Sequence, residues 1–169
     1  MRWIWIDKFL EFSPKQSAVA LKNVTLAEEH LHDLFPEFPV VPNCLIVEGM
    51  AQTAGILVGE ARNFQEKVIL AKIGRATFYR LVRPGETILF RAQIEQLNET
   101  GASIQGTVCL KPDGPDTATA DLRVADIEMM FSHIDQNLAG LEFPEHNFVF
   151  TEQFTELIKM YHMDAKVTL

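Results

Sequence analysis

Apolar and polar positions alternate along this chain in a way that separates strands, one long helix and rigid connections. Ala18-Val19-Ala20-Leu21-Lys22-Asn23-Val24-Thr25 reads as a half-buried strand over Ser17 to Thr25, and the polar stretch from Ala27 to Asp33 has helical tendency. Pro36, Pro39 and Pro42 then fall within seven residues. They can continue neither a helix nor a central strand, so Phe35 to Pro42 is a rigid loop. Asn43 has the chemistry of an N-cap for a helix from Cys44 to about Asn63. Up to Val58 that helix carries one charge, which predicts burial on all sides.

Four more strands are predicted, over Val68 to Val82, Thr87 to Leu97, Ala102 to Leu110 and Thr117 to His133. Pro84-Gly85, Asn98-Glu99-Thr100-Gly101 and Pro112-Asp113-Gly114-Pro115 are the turns between them. An α+β fold in which an antiparallel sheet surrounds the long helix satisfies this order most simply. Pro144-Glu145-His146-Asn147 punctuates the end of the strand region, and Phe154, Leu157, Ile158 and Tyr161 are spaced as a short amphipathic helix over Glu152 to His162. The expected division is a main domain over 1–135 and a C-terminal extension over 136–169.

The single charge in the long helix is Glu48, set among Leu45, Ile46, Val47, Met50, Ile56 and Leu57. A carboxylate there costs several kcal/mol unless it is paired, hydrogen-bonded or protonated, so it suggests an acid or base facing a ligand. Gln52 lies four residues on, on the same face.

Charge and composition narrow the partners. A net charge of −8 argues against nucleic acid, and no apolar run reaches the length of a membrane span. Between Arg62 and Arg91, however, fall seven of the 15 basic residues and only two of the 23 acidic ones, making that segment +5 against −13 elsewhere. Such a patch can steer an acidic partner. Cys44 and Cys109 have no metal-ligand or redox spacing and sit in stretches that read as buried, so two inert thiols in a reducing cytoplasm are expected. The start does not resemble a signal peptide, because Asp7 and Lys8 interrupt it. No histidine and carboxylate set has metal spacing, and neither metal nor cofactor is expected.

The run Phe35-Pro36-x-x-Pro39-x-x-Pro42-x-Cys44-Leu45-Ile46-Val47-Glu48-x-Met50-Ala51-Gln52, with Ile73-Gly74-Arg75-Ala76-Thr77-Phe78 and Val82-Arg83-Pro84-Gly85-Glu86, resembles the beta-hydroxyacyl-acyl carrier protein dehydratases of fatty acid synthesis. Ile6-Asp7-Lys8-Phe9 and Lys22-Asn23-Val24-Thr25 extend the likeness to the family's opening strand, so it covers roughly Trp5 to Ile134. It implies a hotdog fold, a homodimer or higher homo-oligomer, and an acyl carrier protein or coenzyme A thioester as ligand. In these enzymes a loop histidine removes the proton alpha to the thioester carbonyl. A carboxylate at the position of Glu48, from the other subunit, handles the departing hydroxyl.

The likeness fails at one position that matters. Where the family reads Gly-His-Phe-Pro-Gly-x-Pro, this chain has Asp33, Leu34, Phe35, Pro36, Glu37, Phe38 and Pro39, so Leu34 stands in place of the histidine. His32, two residues upstream, could act as base only if the loop is remodelled. The remaining apparatus implied by the resemblance comprises amides near Cys44 and Leu45 that polarise a carbonyl, Asn43 in place of a glycine, and apolar lining from Phe35, Phe38, Ile73, Phe78 and Phe90. Lys72, Arg75, Arg80 and Arg83 are the expected carrier-protein patch. Three functions follow: a dehydratase with displaced base or weak activity, a thioesterase in which Glu48 with Gln52 activates water, or a non-catalytic subunit that binds acyl thioesters or carrier protein.

Overall fold

The computed structural model describes residues 3–112, 122–134, 149–150 and 152–167. Within them the order is β1 (Lys8–Ser13), β2 (Ser17–Asn23), α1 (Glu29–Asp33), α2 (Asn43–Glu60), β3 (Lys67–Phe78), β4 (Thr87–Leu97), β5 (Gly101–Leu110), β6 (Arg123–Ile134) and α3 (Glu152–Val167). The strands form one sheet in the order β1-β2-β4-β5-β6-β3, with antiparallel neighbours throughout. The sheet curves around α2, as expected. The segment Pro144 to Asn147, His146 within it, most of the Pro112 to Pro115 turn and the first residues of the last expected strand lie outside the described residues.

Strand periodicity explains the core. In β5 the even-numbered residues Ala102, Ile104, Gly106, Val108 and Leu110 are buried while their odd-numbered neighbours from Ser103 to Cys109 are half-buried. Along β6 the inward positions are Ala125, Ile127, Met129, Phe131 and His133. The Pro84-Gly85 turn is closed by the Glu86 N–H donating to the Arg83 carbonyl at 3.2 Å, with Gly85 at φ 90°. Only glycine adopts that angle without cost, which is why proline then glycine marks this turn. At the next turn the Asn98 side-chain oxygen accepts the N–H groups of Thr100 and Gly101 at 2.9 and 3.0 Å.

Two glycines let α2 approach the sheet. A Cβ on Gly49 would stand 2.2 Å from Cζ of Phe90, and one on Gly106 would stand 2.6 Å from the Met50 sulfur. Phe90 and Met50 are fully buried, and the Phe90 ring has nowhere to retreat. Gly49→Ala is therefore expected to lose about 2 kcal/mol, because a clash this close belongs at the upper end of the ~1–3 kcal/mol overpacking range and outweighs the roughly 1 kcal/mol gained in helix propensity. Equilibrium unfolding in urea measures it.

Three expectations need correcting. The helix begins at Asn43, and Pro42 is its extended cap residue (φ −57°, ψ 139°), with no side-chain cap bond. Proline fits because its fixed φ leads into the helix and its carbonyl accepts the Leu45 and Ile46 amides at 2.9 and 3.4 Å. Burial on all sides is also too strong: Glu48, Ala51 and Gly55 form a half-buried stripe, and Asn43 and Cys44 on the first turn are exposed. Finally β1 is a separate strand that the resemblance at Ile6 to Phe9 implies but the alternation of residues does not predict, because a bulge between Phe9 and Glu11 interrupts it.

β3 is the edge of the sheet and is bulged twice, between Leu70 and Lys72 and between Ile73 and Arg75. Leu70 and Ile73 are exposed on it, with Met130 on the adjoining β6. At the other edge α3 lies against β1: Leu157 and Ile158 are buried, and Tyr161 faces Phe12 at 6.4 Å between ring centroids.

Candidate active site

Glu48 lies on the second turn of α2, and Ala51 and Gly55 follow it at the spacing of one helix face. Their small side chains leave space beside the helix. That space is a cavity of about 290 Å³ whose opposite walls are Val68 and Leu70 of β3, Phe131 of β6, Trp3, and Val149, Phe150 and Phe154 from the C-terminal segment. Gln52 and Ile56 complete the α2 wall.

Gln52 holds the carboxylate in place. Its amide nitrogen donates to Glu48 Oε1 at 2.7 Å and to the Trp3 carbonyl at 3.2 Å, while its oxygen accepts the Trp5 N–H at 2.8 Å. Partial exposure to the cavity and a hydrogen bond from a neutral amide reconcile this charge with its apolar neighbours. Gln52 itself is only 8% exposed. Replacing it with leucine would leave the buried Trp5 N–H without its acceptor and release Glu48. A loss of about 2 kcal/mol is expected for Gln52→Leu in thermal or urea unfolding, within the range for orphaned buried polar groups.

The cavity gathers Glu48 and Gln52, but the other nominated residues lie elsewhere. Leu34, Phe35 and Phe38 are exposed on a loop whose shallow depression also includes Pro36 and Glu37. Phe90 is core beneath Gly49, Phe78 is half-buried at the end of β3, and Ile73 is exposed on the sheet edge. None of these aromatic or aliphatic candidates lines the cavity in one protomer. Its walls come instead from residues far apart in sequence. The small residues Ala51 and Gly55, one and two turns beyond Glu48, were the available signal.

Of the first-turn amides, that of Leu45 is already donated to Pro42, so those of Asn43 and Cys44 are the ones directed outward. His32 is exposed on α1 and is not among the cavity residues. His133 is buried near the end of β6, with Nδ1 2.7 Å from Glu66 Oε2, and is not among the cavity residues. Cys44 is exposed, not buried as expected, like Asn43 beside it on the first turn of α2; Cys109 is half-buried rather than buried, and desolvation raises its thiol pKa.

The basic patch is partly neutralised within the chain. Arg75 pairs with Glu128 and Arg80 with Glu86 at 3.0 Å, whereas Lys72 is exposed on β3. Arg83 lies over the Phe38 ring at 4.5 Å, tying the patch to the loop that carries Leu34. No group of three or more potential metal ligands occurs among the described residues. No helix among them is long and apolar enough to cross a membrane.

Residues 3–119 match the FabA-like domain family. The 3-hydroxyacyl-[acyl-carrier-protein] dehydratase FabZ of Polynucleobacter asymbioticus is 34% identical over 127 residues, spanning 73% of this chain and 82% of that protein. FabZ of Ruminiclostridium cellulolyticum is 33% identical over 126 residues, with 73% and 86% covered. Among solved structures, the dehydratase heterocomplex ApeI:P from Xenorhabdus doucetiae aligns with a TM-score of 0.59 at 11% identity, over 79% of this chain and 84% of that one. The thioesterase HI1161 of Haemophilus influenzae aligns with a TM-score of 0.57 at 14% identity, over 78% and 80%. At these identities the two structures speak for the fold alone, and that fold is the expected hotdog.

Proposed function

This chain belongs to the FabA-like family, and from that membership we propose that it binds 3-hydroxyacyl and enoyl thioesters with the reacting carbons at Glu48 and interconverts them slowly. The observation that carries the reading is a carboxylate, hydrogen-bonded to Gln52, on a cavity whose other walls are apolar. In the dehydration direction Glu48 in its protonated form gives its proton to the hydroxyl leaving C3 and becomes a carboxylate, the C2 proton must go to a base as the double bond forms, and proton exchange with water restores the acid. In hydration Glu48 takes the proton of the attacking water while C2 gains one. The first transfer has its group. The second lacks the family's loop histidine, since Leu34 occupies that position, so turnover is attenuated.

The site is completed by a second copy of the chain. The apolar edge of β3 and the exposed Leu34 and Phe35 are surfaces that pairing would cover, and unpaired edges of this kind favour association. A homodimer, or a higher assembly of dimers, then brings the Leu34 loop of one protomer toward Glu48 of its partner. The thioester carrier is acyl carrier protein or coenzyme A, with Lys72, Arg75, Arg80 and Arg83 as the carrier patch and the cytoplasm as the setting. A monomer in light scattering at micromolar concentration would overturn the assembly.

Hydrolysis is the second reading, favoured by one observation: Gln52 orients Glu48 on a cavity that no described histidine lines, an arrangement suited to activating water. A panel of 3-hydroxyacyl, enoyl and saturated acyl thioesters separates the two. Gain or loss of water supports the dehydratase reading, release of free thiol replaces it with thioester hydrolysis, and binding without turnover of any member reduces the chain to a binding subunit.

A further inference from the structure

The cavity beside Glu48 has an end wall that comes from outside the sheet. Its α2 side runs from Glu48 through Ala51 and Gln52 to Gly55 and Ile56, and one turn further on the ring of Phe150 rests on Gly59. A Cβ on Gly59 would stand 2.3 Å from Phe150 Cζ, so the helix offers a notch into which this ring fits. Phe64 packs edge-on against the same ring at 5.0 Å between centroids, and Phe64 is itself held by its N–H donating to the Gly59 carbonyl at 2.8 Å. Phe154, on the first turn of α3, lines the cavity beside it. Leu157 and Ile158, buried against the body of the domain, anchor that helix.

We propose that Phe150, supported by Phe154, is the stop that sets acyl chain length, so that the C-terminal segment makes this a medium-chain site. The inference rests on the acyl-thioester reading of the cavity. The helix rises about 10 Å from Glu48 to Gly55 and about 16 Å to Gly59. An extended hydrocarbon of ~1.5 Å bonds at tetrahedral angles advances ~1.25 Å per carbon, so with C3 at Glu48 about eight further carbons fit along the part of α2 that lines the cavity, an acyl group of about eleven carbons in all; octanoyl fits and dodecanoyl meets the phenyl ring seated on Gly59. A longer chain must displace Phe150 from its notch or fold back. Trp3 on the cavity wall supplies a direct optical report of occupancy.

The test is a binding series of saturated acyl coenzyme A thioesters of butanoyl, octanoyl, dodecanoyl and hexadecanoyl length, followed by tryptophan fluorescence. The unmodified protein should bind octanoyl best. Phe150→Ala should raise dodecanoyl relative to octanoyl binding by at least about tenfold, the size expected when a few methylenes gain or lose an apolar pocket. Gly55→Leu works in the opposite direction from the helix side. A Cβ there meets Phe131 at an ordinary 3.5 Å, so the first side-chain atom is accommodated and the rest of the leucine takes up space in the cavity that Gly55 lines. It should weaken octanoyl binding by at least about tenfold and spare butanoyl. If Phe150→Ala does not fold, Gly55→Leu together with the length profile of the unmodified protein decides. Binding whose length preference neither variant moves would overturn the chain-length stop and leave the acyl-thioester reading standing. Failure of the unmodified protein to bind any member would overturn both.

Discussion

Glu48→Gln is expected to lower the interconversion of enoyl and 3-hydroxyacyl thioesters by about 10²- to 10⁴-fold, the usual cost of removing a positioned acid or base. Stability should not fall with it. The substituted amide keeps the shape of the side chain and still offers an oxygen to the Gln52 nitrogen, which lies 2.7 Å from Glu48 Oε1. The removed charge was half-buried among apolar residues, so the melting temperature should hold or rise slightly. Spectrophotometry of the enoyl thioester and a thermal scan on the same preparation suffice. A variant that loses several kcal/mol of stability with its turnover intact would assign Glu48 to structure and remove it from the chemistry.

The opposite change is expected at Leu34. Leu34→His places an imidazole where the proposed reading puts the missing base, and hydration of an enoyl thioester should rise by at least about tenfold. Several features favour correct placement. Leu34 is 54% exposed, so the ring meets no core. Its loop keeps Pro36, Pro39 and Pro42, is closed by the Phe38 N–H donating to the Phe35 carbonyl at 3.0 Å, and is braced by Arg83 over Phe38. No gain, with the fold and acyl binding preserved, would mean that Glu37 and Asn43 have reshaped the pocket and that dehydration is not this chain's chemistry. If the unmodified protein instead turns over rapidly and His32→Ala abolishes it, His32 has become the base.

How far the sequence could be read depends on the distance over which each feature is encoded. β4 was legible to the residue because its alternation is regular and Pro84-Gly85 and Asn98 bound it with local turn chemistry. α2 was legible from its apolar run, and Glu48 stood out against it for the same reason. The cap was misread because asparagine and proline stood side by side, and the proline took the role through its backbone. β1 was obscured by a bulge, and its turn into β2 depends on Lys15 at φ 61°, an angle that no glycine advertises. The cavity was illegible for a different reason. Val68, Phe131 and Phe150 meet only after the sheet has closed and the C-terminal segment has returned to α2, and no spacing along the chain records that meeting.

Gln52 joins the Glu48 carboxylate, four residues away, to the Trp5 amide and the Trp3 carbonyl, 47 and 49 residues away. Trp3 is also a wall of the cavity. Any fluctuation that peels the amino-terminal segment from α2 therefore does two things at once, opening a side of the chamber and loosening the grip on the carboxylate. Solvent entry and loss of the carboxylate's alignment become a single event with one free energy. Deuterium uptake at the Trp5 amide is its clock, and a ligand that seals the chamber should slow that clock in proportion to its occupancy.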